Sequence, residues 1–458
     1  MRLVIFATAV TAIGGFLFGY DTAVINGANS FLQIHFSLDP LRDSTLIGLA
    51  TASAILGCIP GAMGAGFISD RFGRRRMLLF CAILYALAGL LSAIPQTFDQ
   101  FIAARILSGV AIGVSSMICP VYIAEIAPPA WRGRLGSLFQ LGIVSGIFLS
   151  LFINGWIQRL GDAAWNAAYG WRWMLAIEAI PALLFLGLLT PIPESPRWLI
   201  QANRENEARI TLHRIGGENY ADAEIAAVKA TLQEETGSFR EFFSRRYRLP
   251  LLIALTLMFG SQFSGINAIM YYSTEIFKNA TNDANAGFAS SIWIGLVNLI
   301  ATFVAIGFVD KAGRKPLLLF GNVVQVAALV EVGRIYAHDP HSRALLGFVI
   351  LYIAAFAMAM GPLPWIVCSE IFPAKLRGRA MSVATFCVWS GCLIVAQTFP
   401  TLLKYIGPTN TFWIYAACSA ATFLLVGSLL PETKGRTLEE IESSFAGAAK
   451  SHENEHAR

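Results

Sequence analysis

The chain has 458 residues, of which 55% are hydrophobic and only 14% are charged, and its mean hydropathy is +0.59. Soluble proteins carry about 25% charged residues, so this composition excludes a soluble enzyme, a disordered chain and a nucleic-acid-binding protein. The net charge of +5 must be interpreted loop by loop, and the seven cysteines lie singly in apolar stretches, which argues against a disulfide framework or a metal site.

Twelve stretches are long and apolar enough to cross a membrane, since a spanning helix needs about 20 apolar residues. In chain order they are 3–27, 46–68, 77–95, 101–123, 136–158, 171–191, 249–277, 287–309, 316–336, 344–370, 379–403 and 409–430. The first stretch is too long for a signal peptide and has polar residues where a cleavage site would lie. The sequence therefore predicts an all-α membrane protein with twelve transmembrane helices.

The first and fourth predicted spans each contain a charged residue, Asp21 and Arg105. A lone charge at the centre of a spanning helix costs about 2.5–3.5 kcal/mol on insertion scales, so each charge needs a partner. Asp21 lies about 27 Å above the inner end of its span at ~1.5 Å per residue, and Arg105 lies just inside the outer end of its own. We predict that they form a pair. The alternative is that Arg105 snorkels outward while Asp21 caps a local bend.

Residues 192–248 interrupt the hydropathy pattern and are rich in Arg, Glu and Ala at helical spacing. This composition is typical of short amphipathic helices outside the membrane. The predicted domains are a six-helix bundle at 1–191, a helical linker at 192–248, a second six-helix bundle at 249–430 and a cytoplasmic tail at 431–458.

Three motifs occur in the same order in both predicted bundles. GFISDRFGRRR matches GFVDKAGRKP, YIAEIAPPAWRGRLGS matches CSEIFPAKLRGRAMS, and PESPR matches PETKGR, at offsets of 240, 245 and 238 residues. Three markers at nearly one offset indicate a parallel duplication. A substrate site is then expected near the bilayer midplane between the two halves.

Alternate loops differ in their content of Lys and Arg. One set of loops contains twelve basic residues: Arg71, Arg74, Arg75, Arg76, Arg132, Arg134, Lys311, Arg314, Lys315, Lys375, Arg377 and Arg379. The opposite set contains six: Arg42, Arg159, Arg172, Lys278, Arg343 and Lys404. The positive-inside rule places the first set and both termini in the cytoplasm.

The paired motifs resemble those of the sugar porter family of the major facilitator superfamily, over nearly the whole chain. The pattern is most similar to bacterial proton-linked monosaccharide symporters and to animal facilitative glucose transporters. The resemblance implies a monomeric, multi-pass protein of the cell membrane that imports a neutral hexose or pentose with protons by rocker-switch alternating access. No cofactor, enzymatic activity or nucleic-acid partner is expected. A proton-independent facilitator and a non-transporting sugar receptor are the alternatives.

Asp21 and Arg105 match the Asp/Arg pair of the proton-coupled members of this family, whereas the facilitative animal members have an amide at the Asp21 position. A buried carboxyl group binds a proton differently with and without a neighbouring guanidinium. If the motion of the two halves changes the distance between the two residues, proton uptake is coupled to the side that is open. The resemblance therefore favours symport.

Neutral sugars present hydroxyl groups and an apolar ring face, which amides and aromatic side chains can bind. The residues expected to bind sugar are Gln140, Gln262, Asn267, Asn298, Trp365, Trp389, Phe18 and Ile143. For each amide, a purely structural contact between helices is the alternative. Many family members have a Gln where this chain has Ser261, and Val388 and Cys392 replace amides found near the Trp of span eleven, so hexose and pentose both remain open.

Gly and Pro residues are predicted to interrupt two spans of the second bundle, at Gly265 and in the segment GPLP of span ten. We expect the broken ends to act as gates over bound sugar, and simple kinks are the alternative. The expected gate residues are Tyr271, Tyr272, Gly361, Pro362 and Pro364.

Each cytoplasmic motif combines acids and bases at a helix end, and Glu125 is expected to pair with Arg132 and Glu370 with Arg377. The expected charge network contains Asp70, Arg71, Arg74, Arg75, Glu125, Arg132, Glu194, Arg197, Asp310, Arg314, Glu370, Arg377 and Glu432. Exposed ion pairs contribute only ~0–1 kcal/mol each, so the network can hold the outward-facing state only as a whole. The alternative is a set of positive-inside anchors.

Overall fold

The structure is a computed structural model that describes residues 1–234, 242–281 and 283–434. Within these ranges the chain forms α-helices, with short 3₁₀ and π-helical segments and no β-strand. The predicted all-α fold is thereby confirmed for the described residues.

The first part of the chain forms eleven described helices. They are α1 (Arg2–His35), α2 (Ser44–Phe72), α3 (Arg74–Ala93), α4 (Phe98–Ile126), α5 (Arg132–Gln158), α6 (Ala163–Trp165), α7 (Trp171–Ala176), α8 (Ala179–Leu188), α9 (Pro196–Gln201), α10 (Glu205–Gly216) and α11 (Glu218–Glu234). A π-helical turn at Asn166–Gly170 joins α6 to α7. The sixth predicted span, 171–191, consists of the two short helices α7 and α8.

The later part of the chain forms seven described helices. They are α12 (Arg248–Phe263), α13 (Ile266–Thr281), α14 (Ala284–Ala312), α15 (Arg314–His338), α16 (Ala344–Met358), α17 (Leu363–Ile371) and α18 (Ala374–Leu429). In the described ranges, eleven helical runs are long and apolar enough to cross a membrane. The last run contains two predicted spans, 379–403 and 409–430, which meet at Gly407, where φ is +76° and the backbone is not helical.

The seventh and tenth predicted spans, 249–277 and 344–370, are interrupted at the Gly and Pro residues from which the breaks were predicted. Between α12 and α13, Gly265 has φ of +85°, a conformation that only glycine adopts at low cost. A Cβ atom there would lie 2.4 Å from the ring of Tyr415, so this position requires glycine on steric grounds as well. Between α16 and α17, the chain leaves the helix after Met358 and resumes at Leu363, directly after Pro362, because proline is compatible with a helix only near its start.

The internal contacts of the chain divide it into two compact units. Unit 1 comprises the described residues of Met1–Gln233, Ala268–Leu299 and Ala396–Lys404. Unit 2 comprises the described residues of Glu234–Asn267, Ile300–Val395 and Tyr405–Arg458. Unit 2 has an apolar core that includes Leu257, Met258, Leu318, Leu363 and Val367.

Glycine allows α2 and α4 of unit 1 to approach each other closely. A Cβ atom on Gly57 would lie 2.0 Å from the main-chain oxygen of Ile106, and one on Gly109 would lie 1.7 Å from that of Ala54. Membrane helices associate through van der Waals packing because lipid provides no hydrophobic driving force between them, and small residues permit the closest contact. These glycines therefore fix the position of α4, which carries Arg105.

Replacing Gly57 with Ala is expected to destabilise the protein by about 1–3 kcal/mol or more, because the new methyl group must push α2 away from α4. Thermal unfolding of the detergent-solubilised protein measures the effect. Gly64 of the same helix is the matched control, since a Cβ there would meet only Ile68 Cδ1 at an ordinary 3.6 Å. Equal melting temperatures for the Gly57→Ala and Gly64→Ala variants would contradict this account of the helix contact.

The predicted short helices between the two bundles are present as α9, α10 and α11. They share a small apolar core formed by Trp198, Leu199, Ile200, Ala208, Leu212, Ala221 and Ile225. Their solvent-facing sides carry ion pairs, such as Arg204 with Glu207 and Arg209 with Asp222. This division of polar and apolar faces matches the amphipathic pattern of the sequence.

Candidate functional site

A buried ion pair joins α1 to α4 inside unit 1. Asp21 and Arg105 are 0% and 1% exposed, and Nη1 of Arg105 donates to Oδ1 of Asp21. Nη2 of the same guanidinium donates to the main-chain oxygen of Asp21 at 3.3 Å, and Nη1 also contacts Ser108 Oγ at 3.4 Å. The structure thus brings these two charges together in the interior of unit 1, away from lipid.

The helices around this pair exclude solvent from it. Tyr20 donates its hydroxyl hydrogen to the main-chain oxygen of Met174 at 3.1 Å, which ties α1 to α7. Gly19 allows α5 to approach α1, because a Cβ there would lie 1.9 Å from the main-chain oxygen of Ile143. A charge in such surroundings is costly unless an opposite charge and hydrogen bonds compensate it.

A second carboxyl group, Glu178, lies in the same buried cluster and was not predicted from the sequence. It occupies the turn between α7 and α8 and is 1% exposed. Neither of its carboxylate oxygens accepts a hydrogen bond from the described residues, and it interacts electrostatically with both Asp21 and Arg105. The criterion that identified Asp21, an acid inside an apolar span, would also have found Glu178.

Two buried carboxyl groups therefore lie near one guanidinium, which is ion-paired with Asp21 and interacts with Glu178 only electrostatically. If both acids are ionised the cluster has a net negative charge, and burial of an uncompensated charge is strongly unfavourable. The cluster becomes neutral when it binds one proton. Any change that separates Arg105 from the acids alters the free energy of binding that proton.

Two of the expected sugar-binding amides are bonded to each other in unit 2. Asn267 Nδ2 donates to Gln262 Oε1 at 2.5 Å, and Gln262 Nε2 donates to Ser261 Oγ at 2.9 Å. The three residues lie on either side of the break at Gly265. The break therefore places an amide from the end of α12 beside an amide from the start of α13.

The other expected sugar-binding residues divide between the units. In unit 2, Trp365 is half-buried at the start of α17, against the apolar core, and Trp389 on α18 is buried. In unit 1, the remaining members are half-buried or just buried and lie on three helices: Phe18 on α1, Gln140 and Ile143 on α5, and Asn298 on α14. None of these residues carries a charge.

One face of α1 holds α13 through a row of amide side chains. The Asn26 amide donates to the main-chain oxygen of Met270 at 2.7 Å and accepts from the main-chain N–H of Thr274 at 2.9 Å. These two groups are four residues apart, as in a helical hydrogen bond, so the Asn26 amide bridges one turn of α13. Gln33, two turns further along α1, donates to Glu275 Oε1 at 3.0 Å.

The two expected gate tyrosines lie in the stretch of α13 that this amide row holds. Tyr271 and Tyr272 are 2% and 3% exposed. The main-chain oxygen of Tyr271 accepts from Asn29 Nδ2 at 3.4 Å, and the Tyr272 hydroxyl donates to the main-chain oxygen of Ala396 at 3.2 Å. The middle of α13 is thus fixed to its neighbours within unit 1 at several points.

A charge cluster joins the ends of α2, α3 and α4 in unit 1. Arg74 binds the Glu125 carboxylate in a bidentate manner, with Nε donating at 3.0 Å and Nη2 at 3.1 Å. Nη1 of Arg74 lies 3.0 Å from Oδ1 of Asp70. Ser195 Oγ also donates to Glu125 at 2.5 Å. Glu194 accepts the main-chain N–H groups of Arg74 and Arg75 at 2.9 and 3.0 Å, and so caps the start of α3.

The same arrangement is repeated in unit 2. Arg314 Nη2 donates to Glu370 at 3.0 Å, and Thr433 Oγ1 donates to the same carboxylate at 2.7 Å. Glu432 accepts the main-chain N–H groups of Arg314 and Lys315, both at 3.0 Å, and so caps the start of α15. The duplicated motifs of the sequence therefore form duplicated contacts.

Comparison with known proteins agrees with the helices and the duplicated clusters. The family described as sugar (and other) transporters matches residues 7–445 of the chain. The chain belongs to this family. It is therefore a multi-pass membrane transporter, and the resemblance of its motifs to the sugar porters is confirmed.

The transporter is similar over almost its whole length to proteins of known function. It is 40% identical to an arabinose-proton symporter of Bacillus subtilis, over 96% of this chain and 95% of the relative. It is 37% identical to a D-xylose-proton symporter of Escherichia coli, over 95% and 94% of the two chains. The inward-open structure of the xylose transporter XylE from E. coli covers 96% of this chain and 99% of its own, with 36% identity and a TM-score of 0.85.

The structure corrects one pairing that was expected in the transporter's charge network. Glu125 binds Arg74, and not Arg132, which is exposed at the start of α5. The reason is geometric: side chains of a helix point towards its N-terminus, so Arg74 at the start of α3 extends towards the end of α4. The side chains of Asp310 and Arg377 lie outside the described residues, so the expected pairing of Glu370 with Arg377 stays a prediction.

Other members of the expected network have different surroundings. Arg71 is exposed, and its guanidinium carbon lies 5.5 Å from the centre of the Phe72 ring. Arg75 donates from Nη2 to the main-chain oxygen of Thr190 at 2.5 Å, and Arg197 is half-buried near the start of α9. Glu194 and Glu432 bind main-chain N–H groups at the starts of α3 and α15.

The two capping glutamates of the transporter differ in their acidity. Burial raises the pKa of Glu194, although main-chain N–H groups of Arg75, Ser195 and Arg74 oppose the rise. Burial also acts to raise the pKa of Glu432, but there the hydrogen bonds from Lys434, Arg314 and Lys315 outweigh it and lower the pKa below its ordinary value. Only the Glu432 cap therefore stabilises the fold more strongly when it is ionised.

Replacing Glu432 with Gln is expected to lower the melting temperature by about 1–4 °C at neutral pH, because a negative charge at a helix start contributes ~0.3–1 kcal/mol. Since the folded-state pKa is depressed, this contribution is complete above the unfolded-state value of about 4.3 and is lost as the pH falls through the folded-state pKa. The difference between the wild type and the variant should therefore vanish in acid. The control is Glu331→Gln, which removes a carboxylate within α15, the helix that Glu432 caps. A difference between wild type and Glu432→Gln that does not change with pH would contradict the prediction.

Proposed function

We propose that this transporter is a proton-coupled symporter that imports a neutral monosaccharide by alternating access. The buried cluster of Asp21, Arg105 and Glu178 is the observation that carries the proposal. Two acids beside one base bind one exchangeable proton, and a facilitator has no need of such a group. The proton is the coupling ion, and no cofactor takes part.

The expected sugar-binding residues support a neutral substrate. Gln262 and Asn267 offer donors and acceptors together, as hydroxyl groups require, and Trp365 and Trp389 offer aromatic surfaces for a sugar ring. The similar proteins described as arabinose-proton and D-xylose-proton symporters point to the same substrate class and coupling ion. We therefore propose a hexose or a pentose as the substrate.

Three groups of contacts support a conformational cycle: the amide row of α1, the broken span at 361–364 and the duplicated charge clusters. The amide row of α1 holds α13 and its tyrosines, which we propose to close the outer side, while the broken span at Gly361, Pro362 and Pro364 provides a second flexible point. The duplicated clusters around Glu125 and Glu370 form the cytoplasmic network that opens and closes with the cycle. A ligand that binds one conformation more tightly shifts the population towards it.

The distribution of basic residues supports an orientation in the membrane. Loops with many Lys and Arg residues remain on the cytoplasmic side, so we propose that both termini lie in the cytoplasm and that Asp21 lies towards the outer side. The two six-span bundles at 1–191 and 249–430, the linker at 192–248 and the tail at 431–458 are the proposed domains, and a single chain is the proposed functional unit.

Sugar counterflow in proteoliposomes, with the external pH recorded in weak buffer, tests the proposal. The panel contains D-xylose, L-arabinose, D-glucose and myo-inositol, and protein-free liposomes are the control. The expected result is saturable counterflow of at least one sugar, together with alkalinisation of the medium when that sugar is added. Counterflow without alkalinisation would show a facilitator, and binding without counterflow would show a receptor. Either outcome would refute the proposal.

A further inference from the structure

Three hydrogen bonds fix the amide of Gln262 at the end of α12. Ser261 Oγ donates its only hydrogen to the main-chain oxygen of Met258 at 2.8 Å, so it can only accept from a neighbour. Gln262 Nε2 donates to this oxygen at 2.9 Å, and Gln262 Oε1 accepts from Asn267 Nδ2 at 2.5 Å. The nitrogen of the amide must therefore face Ser261, and its oxygen must face Asn267.

These bonds leave a defined set of hydrogen-bonding groups on Gln262. A Gln side chain has two N–H donors and two acceptor lone pairs. Ser261 takes one donor and Asn267 takes one lone pair, so one donor and one lone pair remain for a ligand. Such a pair is complementary to two adjacent hydroxyl groups, one of which accepts a hydrogen bond while the other donates one.

The stem of Gln262 is held from the opposite side by α18. A Cβ atom on Gly391 would lie 2.9 Å from Cβ and 3.1 Å from Cγ of Gln262, and 3.3 Å from the Phe259 ring. The contact is too close for any other residue unless Gln262 moves. Gly391 therefore provides the space that the stem occupies, while Ser261 and Asn267 orient the amide at its end.

We propose that Ser261 and Gly391 are positioning residues of the sugar site, and that they present one donor and one acceptor of Gln262 to adjacent hydroxyls of the substrate. Neither residue needs to touch the sugar. The proposal rests on the proposed function, and it adds that the substrate is selected for neighbouring hydroxyl groups at the carbons that face Gln262.

Sugar counterflow by the variants S261A, S261T, Q262A and S261A/Q262A tests the role of Ser261. Losing one neutral hydrogen bond is expected to raise KM about three- to tenfold in S261A, with little change in kcat. S261T keeps the hydroxyl group and should restore most of the loss. In the Q262A background, S261A should have no further effect, because the positioned group is then absent.

The same assay tests Gly391. G391A should raise KM because its methyl group displaces the stem of Gln262, whereas G427A on the same helix should not, since a Cβ at Gly427 meets only Leu319 at 3.7 Å. KM does not depend on the fraction of active protein, so partial unfolding would not imitate this result.

The outcomes separate this inference from the proposed function. If Q262A transports every sugar with an unchanged KM, Gln262 does not bind sugar and the proposed site is wrong. If Q262A raises KM but S261A and G391A do not, the proposed site stands and the positioning role is refuted. The same conclusion follows if the increases in KM caused by S261A and Q262A are additive in the double variant.

Discussion

Replacing Asp21 with Asn is expected to abolish uphill sugar accumulation while sugar exchange continues. Asn keeps an acceptor oxygen for Arg105 but cannot bind or release a proton, so the helices can still pack while the coupling ion is lost. A membrane potential of 100 mV supplies about 2.3 kcal/mol per charge, enough for roughly 50-fold accumulation at one proton per sugar. Energised proteoliposomes should therefore show an accumulation ratio that falls from this range to about 1.

Two comparisons make the Asp21 experiment specific. Glu331→Gln removes an acid whose partner is the exposed Arg334, and it should leave accumulation unchanged. Glu178→Gln removes the second acid of the buried cluster. If Asp21→Asn still accumulates sugar and Glu178→Gln does not, the coupling acid is Glu178. If both variants accumulate sugar, the cluster does not couple protons to transport.

Replacing Arg105 with Met is expected to destabilise the protein by about 3–5 kcal/mol, which corresponds to roughly 10 °C in melting temperature. Met fills a similar volume, but it leaves the two buried carboxyl groups of Asp21 and Glu178 without a cation. The cost arises from that uncompensated burial and not from lost packing. Thermal unfolding of the detergent-solubilised protein at neutral pH measures it.

A second substitution separates charge from packing at Arg105. Adding Asp21→Asn to Arg105→Met removes one of the two buried carboxyl groups that lack a cation. The double variant should therefore have a higher free energy of unfolding than Arg105→Met alone. Arg334→Met is the matched control: its pair with Glu331 is exposed and should contribute only ~0–1 kcal/mol. Equal losses for Arg105→Met and Arg334→Met would mean that the buried pair has no special role.

The helical fold was predictable because a membrane imposes simple rules on sequence. Each span must be long and apolar, and charges inside it need partners, so the spans and the pairing of Asp21 with Arg105 followed from depth and hydropathy. The break at Gly265 was predictable for a similar reason, since a break in a spanning helix requires a residue that tolerates unusual backbone angles.

Partners set by helix packing were less predictable. Glu125 was expected to bind Arg132, seven residues along the chain, yet it binds Arg74 on another helix. Local spacing favours neighbours in sequence, whereas the direction of a side chain at a helix start is known only once the helices are placed. Glu178 was overlooked although its burial makes it part of the charge cluster.

From the sequence alone, this chain could be assigned as a helical membrane protein with duplicated halves, a buried acid–base pair and a set of neutral amides. These features were predictable because the hydropathy of a segment reflects whether lipid, protein or water surrounds it, and because the duplicated motifs are visible in the sequence. The helix packing was needed to find Glu178 beside the buried pair, the bridge from Asn26 to α13, and the contacts of Ser261 and Gly391 with Gln262. Those contacts depend on distances of a few ångströms between helices that are far apart in the chain, and no local pattern encodes them.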